Sequence, residues 1–286
     1  VSGRDVIRAF DAGAESFDAA YETRGPCGEW LRERFAVAIR LLGENGGEVL
    51  DAGTGTGRLV EELERRGWTA WGVDASPRML ALARARTPQA ADRLVEAQIE
   101  QLPFADERFD AVVSLGVLNY VDDLGVAMGE LARVLRPGGR LLFSMGNGCS
   151  PLRVWEERVT YPTARILRRC VRFRRPPPAH RRPSPTRARL AAVLDSLGLE
   201  LVEVEYVGPT LLPAPLDSLF PRAAVRLSRA AGHLGAGLRR ILSPRMVAVA
   251  RKSGRAGSAG LERPQHGLAE LARRRRAAEV GRRRVD

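Results

Sequence analysis

In the run VLDAGTGTGRL, residues 49–59, an acid, Asp51, precedes Gly53, Gly55 and Gly57 at every second position, and a helical pattern follows. Glycines let a ligand approach the backbone without meeting a Cβ, and the first N–H groups of a helix point outward without partners. Such a loop grips by its main chain. A dinucleotide fingerprint needs Gly-x-Gly-x-x-Gly, but position 58 is Arg, and a phosphate loop needs Gly-Lys followed by Ser or Thr, which is also absent. The spacing favours neither. A second acid, Asp74, closes TAWGVD seventeen residues beyond Gly57. At the carboxyl edge of a sheet its two oxygens can accept both hydroxyls of a ribose, each charge-assisted bond contributing roughly 1.5–3 kcal/mol.

Elements that would position these acids are readable from pattern alone. EVLDAG, TAWGVD, RLVEAQ and FDAVVSLG read as four strands, and RLVEELERRG as a helix ended by Gly67. Ser76-Pro77 opens another helix as N-cap and first-turn proline. Leu124, Ala127, Met128, Leu131, Val134 and Leu135 share one helical face, and RPGG stops that helix before a fifth strand, RLLFSM. Strands alternating with helices imply a parallel sheet. Later, LVEVEYV reads as a strand with one wet face and RMVAVARK as the last strand. Between them lies a Leu- and Pro-rich stretch too long for a hairpin turn, expected to form a helical cap.

Read together, these motifs resemble the class I S-adenosylmethionine-dependent methyltransferases. Asp51 and the three glycines match that family's first motif position for position. WGVDASPRML resembles its second, AQIEQLPFADERFDAVVSLGVLNYVDD its adenine loop and fourth strand, and LARVLRPGGRLLFSM its following helix, turn and fifth strand. The resemblance covers residues 48–145. It implies a Rossmann-like, doubly wound, seven-stranded and mostly parallel α/β sheet with the last strand antiparallel, plus a small helical cap. It also implies S-adenosyl-L-methionine as cofactor. The loop with Asp51, Gly53, Thr54, Gly55 and Gly57 would hug the amino-acid end and sugar, Asp74 and Ala75 the ribose, and Met79 the adenine. Gln98 stands where many relatives have Asp; its oxygen can accept from the adenine amino group and the Ile99 backbone can meet a ring nitrogen, with Leu115 at the end of the fourth strand.

Methyl transfer from a sulfonium asks mainly for positioning, and a base is needed only for a poorly acidic acceptor. No Asn-Pro-Pro-aromatic segment follows the fourth strand, as in amino-group methylases of DNA and protein, and no Pro-Cys for attack on a pyrimidine; Pro26-Cys27 precedes the cofactor loop. Nucleic-acid bases are thereby disfavoured as substrates. SLGVLNYVDD instead resembles the branch containing ubiquinone, menaquinone and other small-molecule methyltransferases. Asn119, standing where many of those have His, and Tyr120 become candidates to orient an acceptor. FDAGAESFDAAYE resembles that branch's lid helix, which would face Tyr21 toward the methyl group. Of His180, His233 and His266, all outside the core, His233 in the cap is the candidate base. Leu and Phe in the cap, with Arg222, Arg226 and Arg229 at helical spacing, suit a roof over an apolar acceptor with an anionic end or a peripheral membrane contact.

The 286 residues thus divide into an N-terminal helical segment (1–46), a cofactor-binding core (47–146), an Arg/Pro-rich insertion (147–185), the rest of the fold with its cap (186–252, cap 209–242) and a basic tail (253–286) expected to be disordered. The net charge is +12, yet residues 151–190 hold twelve Arg against two Glu and residues 253–286 nine Arg against four acids, leaving the body slightly acidic. These annexes motivate an alternative reading as an RNA- or DNA-binding protein on a methyltransferase scaffold, although coding bias toward Arg explains them equally well and Phe173 is the only aromatic in 165–190. Cys27, Cys149 and Cys170 form no CxxC pair, so no metal or redox site is expected. The start VSGRDVIRAF lacks a signal peptide's apolar core, and a cytoplasmic location is the default expectation.

Overall fold

Glu48–Ala52 (β1) buries every residue but its first, as a strand covered on both faces must, and a computed structural model places it third from one edge of a seven-stranded sheet. The structure describes residues 3–23, 25–44, 46–160, 184–209 and 220–254. Strands Thr69–Asp74 (β2), Leu94–Glu96 (β3), Phe109–Leu115 (β4), Leu135–Gly146 (β5), Leu199–Val207 (β6) and Arg245–Lys252 (β7) complete the order β3-β2-β1-β4-β5-β7-β6. The pairs among β1 to β5 are parallel, and β7 runs antiparallel to both β5 and β6. The last strand is therefore the antiparallel one, as expected. Strand order reverses between β1 and β4, which opens a crevice at their carboxyl ends.

Period-2 alternation sorts the strand residues into two cores. Leu50, Val112, Leu141 and Phe143 pack with Leu124–Val134 (α6) and Arg187–Asp195 (α8) on one face. Val49, Ala111, Val113 and Leu142 meet Pro26–Leu42 (α3), Arg58–Arg65 (α4) and Pro77–Arg86 (α5) on the other. Caps fix where helices begin: Ser76 Oγ accepts from the Met79 N–H at 3.2 Å, and Asp123 accepts from the N–H groups of Gly125 and Val126.

Two helices at the amino end, Gly3–Ala12 (α1) and Ala14–Ala20 (α2), lie over α4 and α5 through carboxylates. Asp11 accepts from Ser76 Oγ at 2.7 Å and from the Arg78 N–H at 2.9 Å, and Asp18 accepts from Thr56 Oγ1, Arg58 and Arg86. Negative side chains at the starts of α4 and α5 also complement the helix dipoles.

Leu135 departs from expectation. Its spacing assigns it to the apolar face of α6, but α6 ends at Val134 and Leu135 begins β5, pairing with Phe109 before a register shift restores the ladder at Ala111–Arg140. The RPGG turn is taken up inside the bulged strand as an irregularity. In β6 a shift between Leu201 and Glu203 likewise leaves Val202 and Glu203 both exposed, breaking the anticipated alternation.

Between β6 and β7 the cap holds Pro221–Gly232 (α9) and Ala236–Leu242 (α10). Of the Arg-rich insertion, the short helix Pro151–Trp155 (α7) and the wider π turn Glu156–Thr160 are seen. Residues 161–183, with Cys170, Phe173 and His180, lie outside the described residues, as do 210–219 and the tail from 255 with His266. Among the described residues, Cys27 and Cys149 are free thiols, and no helix is long and apolar enough to cross a membrane.

Candidate functional site

Past the end of β1 the backbone turns sharply, with Gly53 at φ +86°, Gly55 at +54° and Gly57 at +77°, a conformation that favours glycine. A Cβ at Gly53 would come 2.1 Å from Val117 Cγ2, so this glycine lets the loop lie against the end of β4. Gly55 instead faces open space bounded by Phe17 and Met79. At Gly57 a Cβ would come 2.8 Å from Ala83 Cβ and 2.9 Å from its Cα, so the third glycine serves the packing of α4 on α5.

The acid ending β2 ties the loop in place. Asp74 Oδ2 accepts from the Gly55 N–H at 2.8 Å and Oδ1 from the Ser76 N–H at 2.9 Å. Burial pushes its carboxyl up against these backbone bonds. Asp51 is 2 % exposed; burial, with the Asp74 charge adding to it, pushes its pKa up to about 7, and Arg34 opposes the rise.

The glycine loop, residues of α1 and α2 and the ends of β4 and β5 line a cavity of about 290 Å³. Asp51, Gly53, Thr54, Gly55, Asp74 and Ala75 line one end, with Met79, Gln98, Ile99 and Leu115 beside them. Tyr21, Asn119 and Tyr120 line the same cavity. Two sequence candidates fall elsewhere: Gly57 is packed under Ala83, and His233 is exposed at the end of α9, outside the lining. Phe10 stands edge-on to Tyr120 at 5.2 Å between centroids and Phe17 to Tyr21 at 5.9 Å, so aromatic side chains from α1 and α2 pair with neighbouring tyrosines in the cavity lining.

Three cavity residues carry no signal in the sequence. Arg34 on α3, with 4 % exposure, places Nη2 3.3 Å from Tyr21 Oη, and its guanidinium carbon stands 4.7 Å from the Trp30 ring centroid. Arg245, at the start of β7, stacks over the same ring at 4.6 Å. A charge on an otherwise amphipathic helix reads as surface, and only the packing of α3 over the strand ends turns Arg34 inward. Gly116, at φ +82°, makes room for it: a Cβ there would come 2.3 Å from Arg34 Nη1.

Comparison with known proteins agrees with this architecture. Residues 50–143 match a family described as a methyltransferase domain. A malonyl-[acyl-carrier protein] O-methyltransferase of Serratia marcescens is 38% identical over 148 residues, 50% of this chain and 53% of that protein. A demethylmenaquinone methyltransferase of Tropheryma whipplei is 40% identical over 107 residues, 37% of this chain and 45% of that one. The chain thus spans about half the length of the curated relatives it matches. A Thermotoga maritima S-adenosylmethionine-dependent methyltransferase, described as a possible histamine N-methyltransferase, superposes with a TM-score of 0.56 at 21% identity over 86% of this chain and 99% of that one. That likeness shows the fold: a seven-stranded Rossmann-like sheet flanked by helices.

Proposed function

We propose that the chain, whose residues 50–143 match a methyltransferase domain, transfers a methyl group from S-adenosyl-L-methionine to a small acceptor with an apolar body. The observation that carries this reading is a single cavity. The glycine loop and Asp74 line it together with Tyr21, Asn119 and Tyr120.

The residues present fit the cofactor. Gly55 leaves its backbone open toward the cavity, and the Asp74 carboxylate, held by backbone N–H groups, has lone pairs left for ribose hydroxyls. Asp51 offers a buried carboxyl to an ammonium, and Met79 with Ile99 a flat apolar bed for a purine. When bound, S-adenosylmethionine supplies a methyl group on a positively charged sulfur. Tyr21, Asn119 and Tyr120 then orient an acceptor, and the lid aromatics Phe10 and Phe17 exclude water. The sequence relatives, a malonyl-[acyl-carrier protein] O-methyltransferase and a demethylmenaquinone methyltransferase by name, support a small or carrier-borne acceptor.

Calorimetric titration of S-adenosylmethionine and S-adenosylhomocysteine into the wild-type protein and Asp74→Ala tests the reading. Micromolar binding weakened more than about tenfold, ~1.4 kcal/mol, is expected. No binding to wild type refutes it.

A further inference from the structure

We propose that the cap is a docking surface for an anionic membrane, built from α9, α10 and the adjoining α7. It stands apart from the cavity, whose lining includes neither Trp155 nor any residue of 220–244, and it does not depend on what the cavity binds.

Helix α9 meets the fold along a narrow stripe. Ala224 and Ala231 are buried, and Arg229 pairs with Glu29 at 2.8 Å, which seats the helix on α3. Its outward side divides in two. Ala223, Leu227 and Ala230 recur at i, i+4 and i+7 as an exposed apolar flank, and Arg222, Arg226 and Arg229 recur at the same spacing as a cationic one. Phe220, 60 % exposed where the helix begins, and Leu234, just beyond its end, bracket the apolar flank. On α10, Leu238 and Ile241 are exposed one turn apart, and α7, which packs against α10, leaves Trp155 51 % exposed. Of the nine large apolar side chains exposed among the described residues, these three elements and the ends of α9 carry six, so the exposure is concentrated rather than scattered.

Charge selects the occupant. From Phe220 to Arg245 the sequence holds six Arg and no acid. Arg222 and Arg226 have no acid partner among the described residues, and Arg240 on α10 is exposed beside Ile241. An anionic bilayer answers both features: apolar side chains enter the boundary between headgroups and acyl chains, and guanidinium groups meet lipid phosphates. Other occupants fit less well. A second copy of this chain would set these arginines against their own kind, and the stretch 161–183, with eight Arg and no acid, carries the same sign. An acidic protein satisfies the charge, but the apolar groups project from three short elements with Ala and Gly between them, and a fluid surface accepts that spacing without shape complementarity. Cys27, Trp30 and Leu31 of α3, on which α9 rests, belong to the cavity lining, so docking sets that side of the cavity toward the bilayer.

The experiment is co-sedimentation of the full chain with vesicles of phosphatidylcholine alone or mixed with phosphatidylglycerol. Wild type is expected to bind the mixed vesicles at least about tenfold more tightly than the neutral ones. Leu227→Glu with Leu238→Glu, and separately Arg222→Gln with Arg226→Gln, should each weaken binding to the mixed vesicles by at least about tenfold while melting with wild type. If the glutamates lower the melting temperature, Leu227→Ser with Leu238→Ser repeats the test and should weaken binding in the same direction. Absence of wild-type binding to mixed vesicles overturns the proposal: self-association that the leucine pair abolishes, read by light scattering, then gives the face to a second copy, and retention on immobilised polyglutamate gives it to an acidic protein. Vesicle binding that neither pair of substitutions weakens overturns it as well, because arginines elsewhere in the chain then meet the lipid.

Discussion

Asp74 is hydrogen-bonded to Gly55: the acid that ends β2 holds the middle glycine of the loop that ends β1, at 2.8 Å from Oδ2 to the amide nitrogen. One carboxylate therefore shapes the loop and faces the space it encloses. Asp74→Ala leaves the Gly55 and Ser76 N–H groups without their partner, so it should lower unfolding free energy by about 1–3 kcal/mol in urea titration, in addition to its effect on cofactor binding. Weakened binding with unchanged stability would mean that the loop holds its shape without the acid.

Gly57 and Gly67 separate conformational strain from crowding. Both have positive φ, +77° and +81°, but a Cβ at Gly57 would press on Ala83 whereas nothing lies within 4 Å of one at Gly67. Gly67→Ala should cost about 1–2 kcal/mol, the left-handed penalty alone. Gly57→Ala adds overpacking of roughly 1–3 kcal/mol and should melt distinctly lower. Equal melting temperatures for the two variants would remove the packing role assigned to Gly57.

Asp51 makes the ligand-free protein sensitive to pH. Its folded pKa of about 7 lies above the ordinary 3.8, so the folded state holds the proton more tightly than the unfolded state. The resulting penalty is absent below about pH 4, grows as pH rises and is complete above about pH 7, at a size on the order of a few kcal/mol. Asp51→Asn should therefore gain stability over wild type, and by more at pH 8 than at pH 5. Urea titrations at the two pH values decide it; an advantage that shrinks with rising pH contradicts the assignment. Cofactor affinity of wild type should rise from pH 6 to pH 8 as the carboxylate forms.

Much of this was legible because local rules and the tertiary fold agree. Alternating apolar runs located all seven strands, and Ser76-Pro77 located the start of α5, since a cap and a first-turn proline act within four residues. Leu135 was misread because helical spacing is satisfied one residue past the point where strand pairing with Phe109 takes over. Arg34 and Trp30 were invisible for a different reason. Their places are set by how α3 crosses the strand ends, a long-range fact that no window of sequence contains. His233, the candidate base because it alone of the three histidines lies in the cap, is an exposed residue after α9. His233→Ala should leave methyl transfer within twofold of wild type.

The lid offers the last test. Asp18 Oδ1 accepts from Thr56 Oγ1 at 2.6 Å, Arg58 Nε at 2.8 Å and Arg86 Nη2 at 2.8 Å, gathering α2, the glycine loop and the end of α5 at one carboxylate. Burial alone would raise this carboxyl, but the bonds from Arg58 and Thr56 and the two arginine charges outweigh it and hold the pKa below the ordinary value. The stability so contributed is present above the ordinary carboxylate range and is lost only as pH falls through the lowered value, so the clamp should be constant from pH 6 to 8. With its side chain about a quarter exposed, the cluster is partly screened, and Asp18→Ala should cost about 1–2 kcal/mol. Because Phe10 and Phe17 ride on the helices it secures, that loss should appear at the cavity: faster proteolysis within residues 3–23 and a several-fold faster dissociation of S-adenosylhomocysteine, with association little changed. If Asp18→Ala melts lower yet shows wild-type dissociation and proteolysis, the clamp stabilises the fold without governing access, and α1 and α2 are a fixed wall.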